Sequence, residues 1–98
     1  MVEKRSIIVT PAVGIDHDRK NYMLEVELPG VKKDDVKLEM SERTFCVEGT
    51  RDDIELHGCY YLAHPVNIKK ATARFEDGLL MVTIPLAHSL ERKSIEIK

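Results

Sequence analysis

The chain has 98 residues, 43% of them apolar and 33% charged, and a formal net charge of −2. That is one domain with a single modest core. Acids and bases are interspersed without a basic stripe, which argues against nucleic acid as the main partner. No apolar run approaches the ~18–20 residues a bilayer span requires. Met1 to Thr10 lacks an apolar stretch of signal-peptide length and a small-residue cleavage site, so the default expectation is a cytoplasmic protein without a membrane partner.

Ile7-Ile8-Val9 reads as either a short N-terminal arm or a first strand. Ala12, Val13 and Ile15 follow Pro11 as a short extended piece, and Asp16 to Asn21 reads as a charged turn. Tyr22, Leu24, Val26 and Leu28 fall on one face of an alternating run, the mark of a half-buried strand. Pro29-Gly30 stops it, because proline lacks a donor and glycine tolerates turn torsions. Val31 to Asp35 is a polar turn with room for one helical turn. Val36, Leu38 and Met40 alternate cleanly again. Ser41-Glu42-Arg43 is a tight hairpin connection into Thr44 to Glu48, which Gly49 closes.

Arg51 to Gly58 reads as a short polar loop interrupted by Ile54 and Leu56. Cys59 to Ala63 is aromatic and β-prone, and His64-Pro65 ends it. Val66 to Lys70 links to a strand over 71–76. Asp77-Gly78 then gives the strongest hairpin signal, since both central positions of a type I′ turn need positive φ. Leu79 to Ile84 returns, ended by Pro85. The spacing of strands and turns predicts an all-β sandwich.

The pattern does not assemble catalytic chemistry. His17 and Asp18 lie in a charged turn, and no serine or cysteine has a nucleophile-elbow setting. There is no phosphate-cradling glycine loop. Asp34-Asp35 and Asp52-Asp53 are adjacent pairs, which suit turns and solubility better than paired acid–base work. No enzyme and no cofactor are expected. His57, Cys59 and His64 lack a paired Cys-x-x-Cys, so no metal site is expected either. Cys46 and Cys59 are too few for a disulfide scaffold and each lies in a strand-like run, so both are expected as buried thiols.

The end of the chain, Ser94-Ile95-Glu96-Ile97-Lys98, carries two β-branched residues one apart. In an extended chain both point the same way. They are either a plug that docks in a groove by strand addition or part of the chain's own last strand.

Several segments resemble, in order, those of the small heat-shock protein (alpha-crystallin) family. Val26-Glu27-Leu28-Pro29-Gly30-Val31, with Asp34-Asp35-Val36 after it, is similar to the family's Leu-Pro-Gly-Val segment. Val47-Glu48-Gly49-Thr50-Arg51 resembles its Gly-x-Arg strand end. Ala73 to Leu80 is similar to its Ala-x-x-x-Asn/Asp-Gly-Val/Leu-Leu signature, and Ile95-Glu96-Ile97 to its Ile-x-Ile tail. The signature turns thus fall on Leu28, Pro29, Gly30, Ala73, Gly78 and Leu80. The resemblance runs from about Val9 to Lys98.

It implies an immunoglobulin-like antiparallel β-sandwich over 11–86, an arm or first strand over 1–10, and an extension over 87–98. It implies an ATP-independent holdase, active in stress, that captures unfolded or partly unfolded client proteins and forms a dimer or higher homo-oligomer. The tail residues Ile95 and Ile97 would dock on a neighbour's groove, between Val36, Leu38 and Met40 on one strand and Ala71, Ala73 and Phe75 on another. That groove would serve clients too.

Three departures from the family pattern stand out. The N-terminal arm is short. The 51–58 segment is too short for much of a strand swapped between dimer partners, with Ile54 and Leu56 as a stunted remnant. Tyr60 stands where the family has an arginine used in dimer contacts. Tyr60-Tyr61-Leu62 resembles a strand of the CS-domain co-chaperones, the alternative reading as an adaptor, although those lack the Leu-Pro-Gly turn and the Ile-x-Ile tail and many carry tryptophan, absent here.

Overall fold

A computed structural model describes residues 7–90 and 92–98. The expectations that fall on residues 1–6, the outer part of the arm, lie outside the described residues. Among the described residues, eight strands form two four-stranded sheets. They are β1 Ile7–Val9, β2 Ala12–His17, β3 Asn21–Glu27, β4 Val36–Met40, β5 Thr44–Arg51, β6 Ile54–Tyr61, β7 Thr72–Glu76 and β8 Leu79–Pro85. The first sheet runs β1-β6-β5-β4 and the second β2-β3-β8-β7. The fold is the expected all-β sandwich. Its pairings are antiparallel except β1 with β6, which is parallel.

The core follows from period-2 alternation. Tyr22, Leu24 and Val26 of β3 and Leu80, Val82 and Ile84 of β8 point inward from one sheet; Phe45, Val47 and Leu56 point inward from the other. All are buried, and no polar or charged residue is buried with them among the described residues. Tyr22 is 2% exposed but keeps its phenolic oxygen useful: it accepts the His64 N–H at 3.1 Å.

The signature turns meet one another. Asp77 and Gly78 have φ of +49° and +79°, as a type I′ turn requires. The Leu28 N–H donates to the Gly78 carbonyl at 2.7 Å, which seats the Leu-Pro-Gly turn on the Asp-Gly turn. A Cβ on Gly78 would lie 3.2 Å from the Pro29 Cα, so this close approach needs glycine. Gly30 also has positive φ, +78°.

Short 3-10 turns fill two links. Lys33–Asp35 precedes β4, where one helical turn was expected. Ile68–Lys70 precedes β7, with the Asn67 side chain accepting from the Lys69 N–H. The charged turn after β2 is shorter than expected. Asp16 and His17 are strand, and Asp18 Oδ1 accepts the N–H groups of Lys20 and Asn21, both at 2.7 Å.

Two expectations are corrected. Arg51 to Gly58 is not a loop. Only Asp52-Asp53 turns, with Asp52 at φ +49°, and β6 begins at Ile54. Ile54 and Leu56 are therefore not a swapped-strand remnant; they face Arg51 and Gly49 across β5–β6. Cys46 and Cys59 are not buried thiols. Register places them directly opposite each other, Cα atoms 4.1 Å apart, and they form a disulfide on the outer face of the first sheet. A strand-like run alone does not say which face a residue takes. However, the inward residues beside them are Phe45, Val47 and Tyr60, so the cysteines face out.

Candidate functional site: an edge groove and an exposed tail

The two sheets end on the same side of the sandwich in β4 and β7, each with one unpaired edge. Val36, Leu38 and Met40 of β4 turn inward at the rim and are each half-buried. Across from them, Ala73 sits opposite Val82 and Phe75 opposite Leu80 in the β7–β8 ladder. Ala71 lies just before β7. All of these except Ala73, which is exposed, are packed against the core from outside. Two alanines where larger residues would close the rim leave it open.

The opening consists of two adjoining apolar hollows. One, about 330 Å³, is lined by Leu38, Met40, Ile68, Ala71, Thr72, Ala73 and Val82. The other, about 210 Å³, is lined by Lys33, Val36, Leu38, Ala73, Arg74, Phe75 and Leu80. Leu38 and Ala73 line both and so form the ridge between them. Residues two apart on a strand are about 7 Å apart and point the same way. That is the step from one hollow to the next, and the step from Ile95 to Ile97 in an extended chain.

All six groove residues expected from sequence are brought together here. Sequence reasoning missed Ile68, Thr72, Leu80, Val82, Lys33 and Arg74 as lining. Ile68 had a readable signal, a lone apolar residue between a capping Asn67 and two lysines. Lys33 and Arg74 put positive charge at the second hollow. Arg74 also pairs with Glu76 at 3.0 Å, an exposed contact of small energetic value.

The tail leaves its own domain. Its root is pinned by the backbone: Leu86 N–H to Lys20 O, Ala87 N–H to Pro65 O, and Leu90 N–H to Arg19 O, at 2.7, 2.9 and 2.9 Å. Leu90 also packs on the core's outer side. Beyond it, residues 92–98 form no strand and are exposed, with Ile95 at 83% and Ile97 at 94%. The two isoleucines thus belong to no strand of this chain. Five residues from Leu90 to Ile95 span at most about 18 Å.

This groove, the paired signature turns and an Ile-x-Ile tail match a known pattern. Residues 14–98 match the Hsp20/alpha crystallin family. The chain belongs to that family. Among relatives, it is 28% identical to small heat shock protein C4 of Rickettsia felis, over 92% of this chain and 65% of that protein. It is 30% identical to an 18 kDa heat shock protein of Clostridium acetobutylicum, over 74% of this chain and 60% of that one. This Hsp20 chain spans between 60% and 68% of the length of four such relatives. Its fold is similar to that of heat shock protein 16.0 from Schizosaccharomyces pombe. There the TM-score is 0.75 at 24% identity, covering 92% of this chain and 99% of the other. A small heat-shock protein from Xylella fastidiosa superposes with TM-score 0.68 at 19% identity, covering 90% and 95%. These matches do not favour the co-chaperone alternative.

The histidines do not converge on the groove. His57 lies on the outer face of the first sheet, its Nε2 4.0 Å from Cys59 Sγ. His64 lies elsewhere, its ring edge-on to His17 at 5.1 Å and near Tyr22. Among the described residues, no group of three or more His, Cys, Asp or Glu side chains is placed to hold a metal ion. No helix of the described residues is long and apolar enough to cross a membrane. Tyr60, in the family's arginine position, points inward and stacks on Phe45 with centroids 5.0 Å apart.

Proposed function

We propose that this chain is a non-enzymatic, ATP-independent holdase that uses the β4–β7 groove both to assemble and to capture clients. Exposed apolar surface rimmed by polar residues marks interaction sites, and Lys33 and Arg74 rim these hollows. The observation that carries the reading is the match between the two hollows and the Ile95–Ile97 spacing, on a chain where both isoleucines are exposed. The tail of one copy docks along the groove of the next, with backbone bonds to the free β4 or β7 edge and one isoleucine in each hollow.

Each such contact is weak, and several in one assembly reinforce each other through effective concentration. Undocking exposes Leu38, Met40, Ala73 and Phe75 to unfolded or partly unfolded proteins. In this reading the working module is the sandwich over 11–86, the extension over 87–98 links copies, and the cytoplasm is the site of action. Light scattering from a heat-stressed client protein tests it. Suppression of aggregation without ATP supports the holdase; unchanged aggregation at a several-fold excess of this protein refutes it.

A further inference from the structure

The disulfide lies away from the groove, on the outer face of the first sheet. Cys46 and Cys59 are 13 positions apart. The two-residue turn and eight cross-strand pairs of β5–β6 already close that loop. The bond restricts the unfolded chain, and it does so modestly because the loop it closes is short. The bond also fills no core space: Cys59 is exposed and Cys46 half-buried.

Its surroundings are asymmetric. A hollow of about 80 Å³ opens at Cys46, lined by Lys37, Glu39, Glu48 and His57 among others. Lys37 and Glu39 come from β4, which flanks β5 on the side away from β6. The hollow reaches Cys46 between β4 and His57 of β6, while Cys59 does not line it. Exchange at a disulfide proceeds by attack of a thiolate on one sulfur and departure of the other. On the departing side, His57 Nε2 is 4.0 Å from Cys59 Sγ.

We propose that Cys46–Cys59 is a thiol–disulfide exchange site for small thiols, with Cys46 the sulfur attacked, Cys59 the leaving group and His57 its stabilising neighbour. An incoming thiolate forms a new S–S bond to Cys46 as the Cys46–Cys59 bond breaks. The electron pair leaves on Cys59, which takes a proton from a protonated His57 or from water. A second thiolate then attacks the sulfur of the bound thiol, releasing Cys46 as a thiolate. The net result is two cysteine thiols and one oxidised disulfide of the small thiol, a two-electron exchange. Lys37 offers a positive neighbour to an approaching thiolate; Glu39 and Glu48 disfavour highly anionic ones.

The test uses the full chain, folded and purified in air, with free thiols counted by alkylation and mass spectrometry. Glutathione is added without denaturant, the reaction is quenched with acid, and adducts are mapped by peptide mass. The expected results are no free thiols at the start, then a glutathione adduct on Cys46 with Cys59 free. His57→Gln should slow the step about three- to tenfold near neutral pH, because a poorer leaving thiol departs more slowly. Circular dichroism should stay native throughout, and Cys59→Ser confirms that the sandwich folds without the bond. Two free thiols at the outset, an adduct on Cys59, exchange only in denaturant, or an unchanged rate in His57→Gln would each overturn the proposal.

Discussion

Replacing Ile95 and Ile97 together by alanine separates assembly from folding. In the isolated chain the two side chains are 83% and 94% exposed, and surface changes of this kind usually shift stability by no more than about 0.5 kcal/mol. In a docked tail each isoleucine would lose three carbons from an apolar hollow, at about 0.8 kcal/mol per carbon. Full burial gives roughly 5 kcal/mol for the pair. The hollows are open on one side, so about half that, 2–3 kcal/mol per tail, is expected. That weakens each contact by about 30- to 150-fold. The assay is particle mass by light scattering at matched concentration, alongside urea unfolding at a dilution where copies are apart. The expected result is a smaller particle with an unchanged unfolding midpoint. An unchanged mass, or a loss of monomer stability above about 1 kcal/mol, would refute the reasoning.

Other consequences concern the fold that presents the groove. Gly78→Ala forces a positive φ on a residue with a Cβ and crowds Pro29; a loss of about 1–3 kcal/mol is expected by urea unfolding, and a neutral outcome would contradict the close approach. Leu24→Ala removes three carbons from a site 1% exposed and should cost about 2–5 kcal/mol, measured the same way. Two backbone N–H groups, from Lys20 and Asn21, hold the Asp18 carboxyl below the usual aspartate range. A depressed acid contributes above its unfolded pKa and stops contributing as pH falls through the folded one. Asp18→Ala should therefore be less stable than its parent near pH 6, with the gap closing below about pH 4; a gap independent of pH would contradict the assignment. Glu55 runs the other way, raised by sharing a hydrogen bond with Glu48. Its contribution is full below the ordinary glutamate pKa and fades as pH rises through the raised one.

Most of the sandwich was legible because β3, β4, β5 and β8 turn one face toward the core, so every second residue there is apolar or glycine over most of each strand. The hairpin at Asp77-Gly78 was legible because its torsions restrict the residues that fit. β6 was harder to see. Its first half reads Ile54-Glu55-Leu56-His57-Gly58, where a glycine opposite Val47 and an outward Glu55–His57 face dilute the strand pattern. Missing its start hid the register, and without register Cys46 and Cys59 could not be placed opposite each other. The groove residues on β4 and β7 were reachable through the family resemblance. Ile68 carried a sequence signal beside Asn67, but its part in the lining depends on a 3-10 turn packing against β8. The tail's two isoleucines were visible in the sequence, but their release from the domain depends on backbone bonds at Leu86, Ala87 and Leu90 that no side-chain pattern encodes.

The most direct test of tail docking is a titration of a peptide spanning residues 92–98 into the isotope-labelled Ile95→Ala/Ile97→Ala chain, whose own tail cannot compete. Amide shifts should move at Val36, Leu38, Met40, Ala71, Ala73 and Phe75, saturate with peptide, and vanish when the peptide carries the same two alanines. Shifts confined to the β2 edge, or none at millimolar peptide, would contradict the account.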